Sequence, residues 1–181
     1  VKANSLLLLE APLLCTAFPG DRHVCGGCLR DASEFCDACS EATCSACAPH
    51  SCTEPDKNER ELRESIWYRL YLKYISMLAQ GSDVDWSAFA RLPPTVYGGW
   101  DTLVGAAEMF VQPPKRRLGR PPPEGSQLSQ ALSAEGFLDF YLLIRANSTS
   151  VANRGSALFQ LHACFNHDCG ANAAVVPMLE I

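Results

Sequence analysis

Between Leu62 and Leu78 an apolar side chain recurs every four residues, at Leu62, Ile66, Leu70, Tyr74 and Leu78, with Trp67, Tyr71 and Ile75 alongside. That period predicts a helix of about five turns with a broad apolar face. Asp56-Lys57-Asn58-Glu59 reads as its capping box, Pro55 limits extension upstream, and Gly81 ends it. The aromatic stripe on this face is read as packing. Phe137, Phe140, Tyr141 and Ile144 give the i, i+3, i+4, i+7 pattern and predict a last helix over 128–146. Two shorter helices are expected over 85–111, split at Pro93-Pro94 and Gly98-Gly99. Asp101 would cap the second, with Leu103, Ala107 and Phe110 facing inward.

At both ends of the chain the period changes. Residues 1–18 read as one or two short strands, with Leu6 to Leu9 buried and Glu10-Ala11-Pro12 marking a bend. Ala157 to His162 and Ala173 to Met178 read as short strands around a polar turn from Asn166 to Asn172. The mixture predicts an α+β fold. Between the helices, residues 113–123 hold five prolines, at 113, 114, 121, 122 and 123, and four cations, at 115, 116, 117 and 120. This composition predicts a disordered, extended basic surface loop over 113–125. Arg117-Leu118-Gly119-Arg120-Pro121 differs from the Arg-Gly-Arg-Pro core of a minor-groove-binding AT-hook by the intrusion of Leu118, so the solvated loop is the preferred reading.

Composition narrows the class. Hydrophobic residues make up 48% of the 181 and charged residues 19%, which is globular rather than disordered. No apolar run approaches the roughly 18 residues that a membrane span needs. The formal net charge of −5 argues against a general nucleic-acid coat.

Ten cysteines are the strongest chemical signal, because seven fall between Cys25 and Cys52. They form three C-x2-C pairs, Cys25/Cys28, Cys36/Cys39 and Cys44/Cys47, followed by His50-x-Cys52. Two thiolates on one tight turn point at the same ion, so this spacing predicts zinc knuckles. Eight potential ligands make two tetrahedral sites. A C-x2-C pair is too tight for an easy structural disulfide between its own members. The competing disulfide reading draws on a faint likeness of Lys2, Leu6 to Leu9 and Leu13 to Ala17 to a signal peptide, but Glu10 and Pro12 interrupt that run. Metal is preferred, and with it an intracellular location, in the nucleus or cytoplasm. The block holds almost no large apolar residues, so metal binding is expected to fold it.

The segment Cys164-Phe165-Asn166-His167-Asp168-Cys169-Gly170-Ala171-Asn172 follows Gly155-Ser156-Ala157-Leu158-Phe159 and a helix ending in Asn147. It resembles the Asn-His-Ser-Cys-x-Pro-Asn motif of SET-domain protein methyltransferases. The order along the chain resembles one branch, the SET- and MYND-domain family of lysine methyltransferases. The likeness is strongest over 128–176, moderate over 24–47 and weak over 81–125. It implies an incomplete β-rich SET core split by a MYND-type zinc finger and a helical insertion. The parts would be a SET N-terminal part at 1–18, a finger at 24–52, helices at 56–147 and a truncated SET C-terminal part at 148–181.

The resemblance also assigns roles. Asn166 would hold the methionine end of S-adenosylmethionine, backbone groups of His167 would meet its adenine edge, and Asn147 would contact the cofactor from the helix end. In the family's finger the pairs interleave, so Cys25, Cys28, Cys44 and Cys47 would share one zinc, and Cys36, Cys39, His50 and Cys52 the other. Cys169 would help bind a third zinc with cysteines beyond this chain. Cys15 and Cys164 are read as core thiols. Several positions depart from the family: Asp168 for Ser, Ala171 for Pro, Thr43 for an aromatic, and one residue instead of three between His50 and Cys52. The third finger pair also has two intervening residues where the family usually has three. None of Tyr68, Tyr71, Tyr74, Tyr97 and Tyr141 falls where the catalytic tyrosine belongs. That residue is expected beyond Ile181 and the glycine-rich cofactor segment before Val1, so the chain is expected to be a fragment, inactive alone.

The implied function is S-adenosylmethionine-dependent methylation of a lysine in a basic protein segment such as a histone tail. The alternative is a non-catalytic interaction module with a degenerate SET domain, its finger binding proline-rich partners. Nucleic-acid binding is disfavoured because the finger has almost no Lys or Arg to meet phosphate.

Overall fold

Local caps and one long apolar face set the helical half. A computed structural model describes residues 10–47, 50, 52, 54–82, 84–87, 89–93 and 100–160. Asp56 caps α1 (Lys57–Leu62), its carboxylate accepting from the Glu59 backbone N–H at 2.9 Å. Glu59 does not complete the capping box. Its buried carboxylate instead accepts from Arg63 Nε at 2.9 Å and from Arg117. The expected five-turn helix is divided: α1 stops, and α2 (Ile66–Ala79) restarts from Ser65 in extended backbone. The buried Arg69 holds this break open, its Nε donating to the Arg63 carbonyl at 2.6 Å. That bond satisfies one of the carbonyls a helix end leaves unpaired. Gly81, at φ +79°, closes α2 in a Schellman motif, with Ser82 N–H to Met77 O and Gly81 N–H to Leu78 O.

Among the described residues one helix, α3 (Trp100–Arg117), stands where two were expected over 85–111. Residues 84–87 and 89–93 are not helical; Trp86 and Phe89 are buried there in the core. Leu103, Ala107 and Phe110 face inward as expected. The basic segment also differs from its reading as extended loop, because α3 runs through Pro113 and Pro114 to Arg117. Two prolines inside a helix remove two N–H donors and crowd the preceding turn. Tertiary contacts outweigh this: both rings are buried, Arg116 pairs with Asp56 at 2.7 Å, and Arg117 pairs with Glu59. Only after Leu118 does the chain turn, with Gly119 at φ +67°.

The last predicted helix is also two, α4 (Gln127–Ala131) and α5 (Ala134–Asn147). Ser133 makes the joint, accepting from Gly136 N–H at 2.9 Å and donating to Gln130 O at 2.8 Å. Gly136 is required there, since a Cβ would lie 2.0 Å from the Gln130 carbonyl. Aromatic pairs fill the core between helices. Tyr71 meets Phe137 edge-on at 4.8 Å, while Tyr74 stacks on Phe140 and Phe110 on Phe137. Such contacts add about 0.5–1.5 kcal/mol each beyond their buried area. Tyr71 also donates to the Ala131 carbonyl at 2.8 Å, which ties α2 to α4.

The strands form two small antiparallel sheets. β1 (Leu14–Ala17) pairs with β5 (Gly155–Leu158), the last strand among the described residues, with Leu14 opposite Leu158, and β4 (Thr149–Val151) flanks β5. The second sheet is the finger's hairpin, β2 (Glu34–Cys36) and β3 (Glu41–Thr43). β1 therefore precedes the cysteine-rich block, and its partner β5 follows α5. That block and the helices lie between two paired strands of one sheet, with β4 as the hairpin neighbour of β5. The fold is mixed α and β, as expected; the strands expected at Leu6 to Leu9 and Ala173 to Met178 lie outside the described residues.

Candidate metal centre

Two similar turns build the finger. In Cys25-Gly26-Gly27-Cys28-Leu29 the Leu29 N–H returns to Cys25 O at 2.9 Å, and in Cys36-Asp37-Ala38-Cys39-Ser40 the Ser40 N–H returns to Cys36 O at 2.8 Å. Each turn ends in a left-handed residue, Leu29 at φ +62° and Ser40 at +59°. This geometry brings both thiols of a C-x2-C pair to one side. Gly27 N–H donates to Cys25 Sγ at 3.3 Å, and a Cβ on Gly27 would lie 2.9 Å from Cys47 Sγ. The glycine admits the thiol of another pair.

The hairpin then folds the pairs across each other. Cys25, Cys28, Cys44 and Cys47 place their sulfurs within 4.8 Å of one another, and so do the ligand atoms of Cys36, Cys39, His50 and Cys52. These are the two sets named by the interleaved pairing. Cys28 and Cys44 sulfurs are 3.5 Å apart, Cys36 and Cys52 sulfurs 3.5 Å, and Cys39 Sγ lies 3.0 Å from His50 Nε2. Zinc–sulfur bonds of about 2.3 Å in a tetrahedron separate the ligand atoms by about 3.8 Å. Both clusters are thus of a size to hold one zinc ion with four protein ligands. None of the described cysteines is bonded to another.

Electrostatics point the same way. Burial pushes the Cys39 thiol up to about 12. Burial and the neighbouring Cys25, Cys28 and Cys44 thiols push Cys47 up further. Cys36 is drawn down, chiefly by the Cys39 backbone N–H. Burial resists ionisation of Cys44, yet hydrogen bonds from Cys28, from the Cys47 and Ala46 backbone N–H groups and from Cys25 together outweigh it and bring this thiol to about 7. Cys44 and Cys36 are thus favoured as thiolates, while Cys28 and Cys47 in the first cluster and Cys39 and Cys52 in the second are held back by burial and by neighbouring thiols. A divalent cation removes that conflict.

The clusters differ in surroundings. Cys25 and Cys44 of the first are buried, whereas only Cys39 is buried in the second; each cluster has one exposed cysteine, Cys47 and Cys52. Cys15 is a separate buried thiol that donates to Gly27 O at 3.1 Å, and burial raises it to about 11.

Asn147 closes α5 and is buried. Both hydrogens of its amide are committed, to Leu143 O and Ala90 O at 2.7 Å each. It ties the helix end to the 84–93 segment and keeps only its oxygen for another partner. Asn166, His167, Cys169 and Cys164 lie outside the described residues, as does Tyr97. Tyr68, Tyr71 and Tyr74 are packed in the helical core.

Sequence reasoning missed three contributors: Gly27, Leu29 and Arg154. The Cys-Gly-Gly-Cys spelling was a signal for the first. Leu29 and Arg154 left none, since the bond that joins them spans more than a hundred residues of sequence. No helix among the described residues is long and apolar enough to cross a membrane. No family model, curated protein or solved structure matches this chain.

Proposed function

We propose that this chain is part of a S-adenosylmethionine-dependent protein-lysine methyltransferase of the SET- and MYND-domain kind, with a two-zinc finger inserted into its catalytic core. Topology carries the reading: β1 before the finger pairs with β5 after the last helix, so finger and helices interrupt a single sheet. β5 ends at Leu158, shortly before the Asn166-His167 pair that carries the family likeness. The zinc ions are structural, because four protein ligands fill each tetrahedron and leave no open position.

When bound, S-adenosylmethionine supplies a methyl group on a sulfonium, ready for in-line attack by a neutral lysine amine. Asn147 meets a ligand only as an acceptor, since its donors are spent; its oxygen suits an ammonium or hydroxyl group. Asn166 and the backbone of His167 complete this contact set. The chain's acidity, −5 overall, suits a basic target such as a histone tail. Thiol-ligated zinc fits the nucleus or cytoplasm.

Calorimetric titration with S-adenosylmethionine, on the chain extended at both ends, tests the proposal. Binding is expected, and Asn166→Ala should abolish it while zinc content stays unchanged. An extended, zinc-loaded protein that binds no S-adenosylmethionine would refute the proposal. It would favour the second reading, an interaction module, to which the Asp168 and Ala171 departures in the motif already point.

A further inference from the structure

The first knuckle is built into the split sheet, and the second is not. Leu29 directly follows the ligand Cys28. It holds a left-handed backbone that a branched aliphatic residue seldom adopts, yet its side chain is only 2% exposed. It packs with Cys15, Ala17, Val24, Val151 and Ala157, the inner residues of β1, β4 and β5 and the finger's leading edge. A Cβ on Gly155 would lie 2.8 Å from Leu29 Cδ2 and 2.1 Å from Thr16 O, so β5 needs glycine to admit both. Arg154, in the turn before β5, donates through Nε to Leu29 O at 2.7 Å and through Nη2 to Asp31 at 2.5 Å. Cys15 of β1 donates to Gly27 O inside the same knuckle. Side chains from both strands thus converge on the turn that holds Cys25 and Cys28.

Nothing comparable joins the second cluster to the sheet among the described residues. Its knuckle sits on the β2–β3 hairpin, whose link to the helices is Glu41 facing Lys73 at 4.0 Å.

We propose that metal in the first cluster, and not in the second, positions β1 and β5, with Leu29 as the plug and Arg154 as the positioning residue. Metal fixes Cys25 and Cys28, the closed knuckle holds Leu29 left-handed, and the buried side chain with its carbonyl anchors the strand. Because coupling is reciprocal, loosening the strand must weaken the first metal site by the same factor. The coupling rests on the metal reading of the clusters and is independent of the methyltransferase reading.

Two measurements on the metal-loaded chain test it. Amide hydrogen exchange should quicken about tenfold or more over Leu14–Ala17 and Gly155–Leu158 in Cys28→Ser, and less than about twofold in Cys52→Ser. Equal effects of the two variants would overturn the proposal. Where Cys28→Ser fails to fold, Arg154→Ala decides, since it keeps every ligand. Cobalt(II) titration of that variant should show roughly tenfold weaker binding at the four-thiolate site, with the three-thiolate site unchanged. Arg154→Lys keeps the pairing with Asp31 but loses the bond to Leu29 O, so it should recover only part. Unchanged cobalt affinity in Arg154→Ala would refute the coupling, and failure of either cluster to take up metal would refute the metal reading itself.

Discussion

Single residues decide several features of this protein against their local preference. Leu29 and Ser40 occupy left-handed backbone, which costs roughly 1–2 kcal/mol for an L-residue other than glycine. Ser40 sits at the surface, but Leu29 is compensated by full burial of its side chain. Glu59 is a second case. Sequence alone places it as the partner in a capping box, whereas the fold uses its buried carboxylate to pair Arg63 and Arg117. Glu59→Gln should leave both guanidiniums without their shared anion and destabilise the zinc-loaded chain by about 3 kcal/mol in urea denaturation. A change below about 1 kcal/mol would show that the cluster is solvated.

The tyrosines packed in the core, Tyr68 and Tyr71 buried and Tyr74 partly so, give a pH signature. Burial, with Asp139 nearby, raises the Tyr74 phenol to about 12, and burial moves Tyr68 and Tyr71 in the same direction. A raised pKa in the fold favours the protonated form, so its contribution to stability is complete below the ordinary tyrosine value of 10. That contribution is lost as pH rises through about 12. Alkaline titration followed by phenolate absorbance should show these three groups ionising only as the chain unfolds. Ionisation at pH 10 with the fold intact would contradict their burial.

At the scale of elements, α2 and α5 were legible and the joints were not. The four-residue apolar period located α2, the i, i+3, i+4, i+7 pattern located α5, and Gly81 marks the end of α2 as the spacing predicts. The break at 63–65 depends on Arg69 reaching the Arg63 carbonyl, and the break at Leu132-Ser133 on α4 packing against Gly136. Neither partner can be seen in a local pattern. The same holds for α3, whose two prolines read as helix breakers until Asp56 and Glu59, about sixty residues upstream, hold the helix end. Two glycine substitutions separate the kinds of constraint. Gly81→Ala should cost about 1 kcal/mol, the price of a left-handed C-cap. Gly136→Ala should cost about 3 kcal/mol, because its methyl collides with a backbone carbonyl that cannot yield without separating α4 from α5. Thermal unfolding of both variants checks the order, and equal costs would contradict the tight joint.

For the molecule as a whole, the candidate metal ligands were the most legible feature. Their spacing is short and its chemistry is local, so Cys25, Cys28, Cys36, Cys39, Cys44, Cys47, His50 and Cys52 could be named from the chain alone. The way the finger is seated in the fold could not. That depends on β1 meeting β5, on Arg154 reaching Leu29 O, and on the buried aromatic core that carries the chain from the finger back to the sheet. The eight candidate ligands fall into two separate sets of different composition, each of which could hold one ion. Acidification should release both as the thiolates protonate, and chelation should unfold the finger.

Cadmium-113 resonance of the chain loaded in place of zinc tests this most directly, because the shift reports the number of thiolates on the metal. The crossed arrangement predicts two resonances from one chain, one from four thiolates and one, upfield of it, from three thiolates and a histidine nitrogen. A single resonance, two of the same ligand class, or a metal-free chain with its finger cysteines joined as disulfides would contradict it.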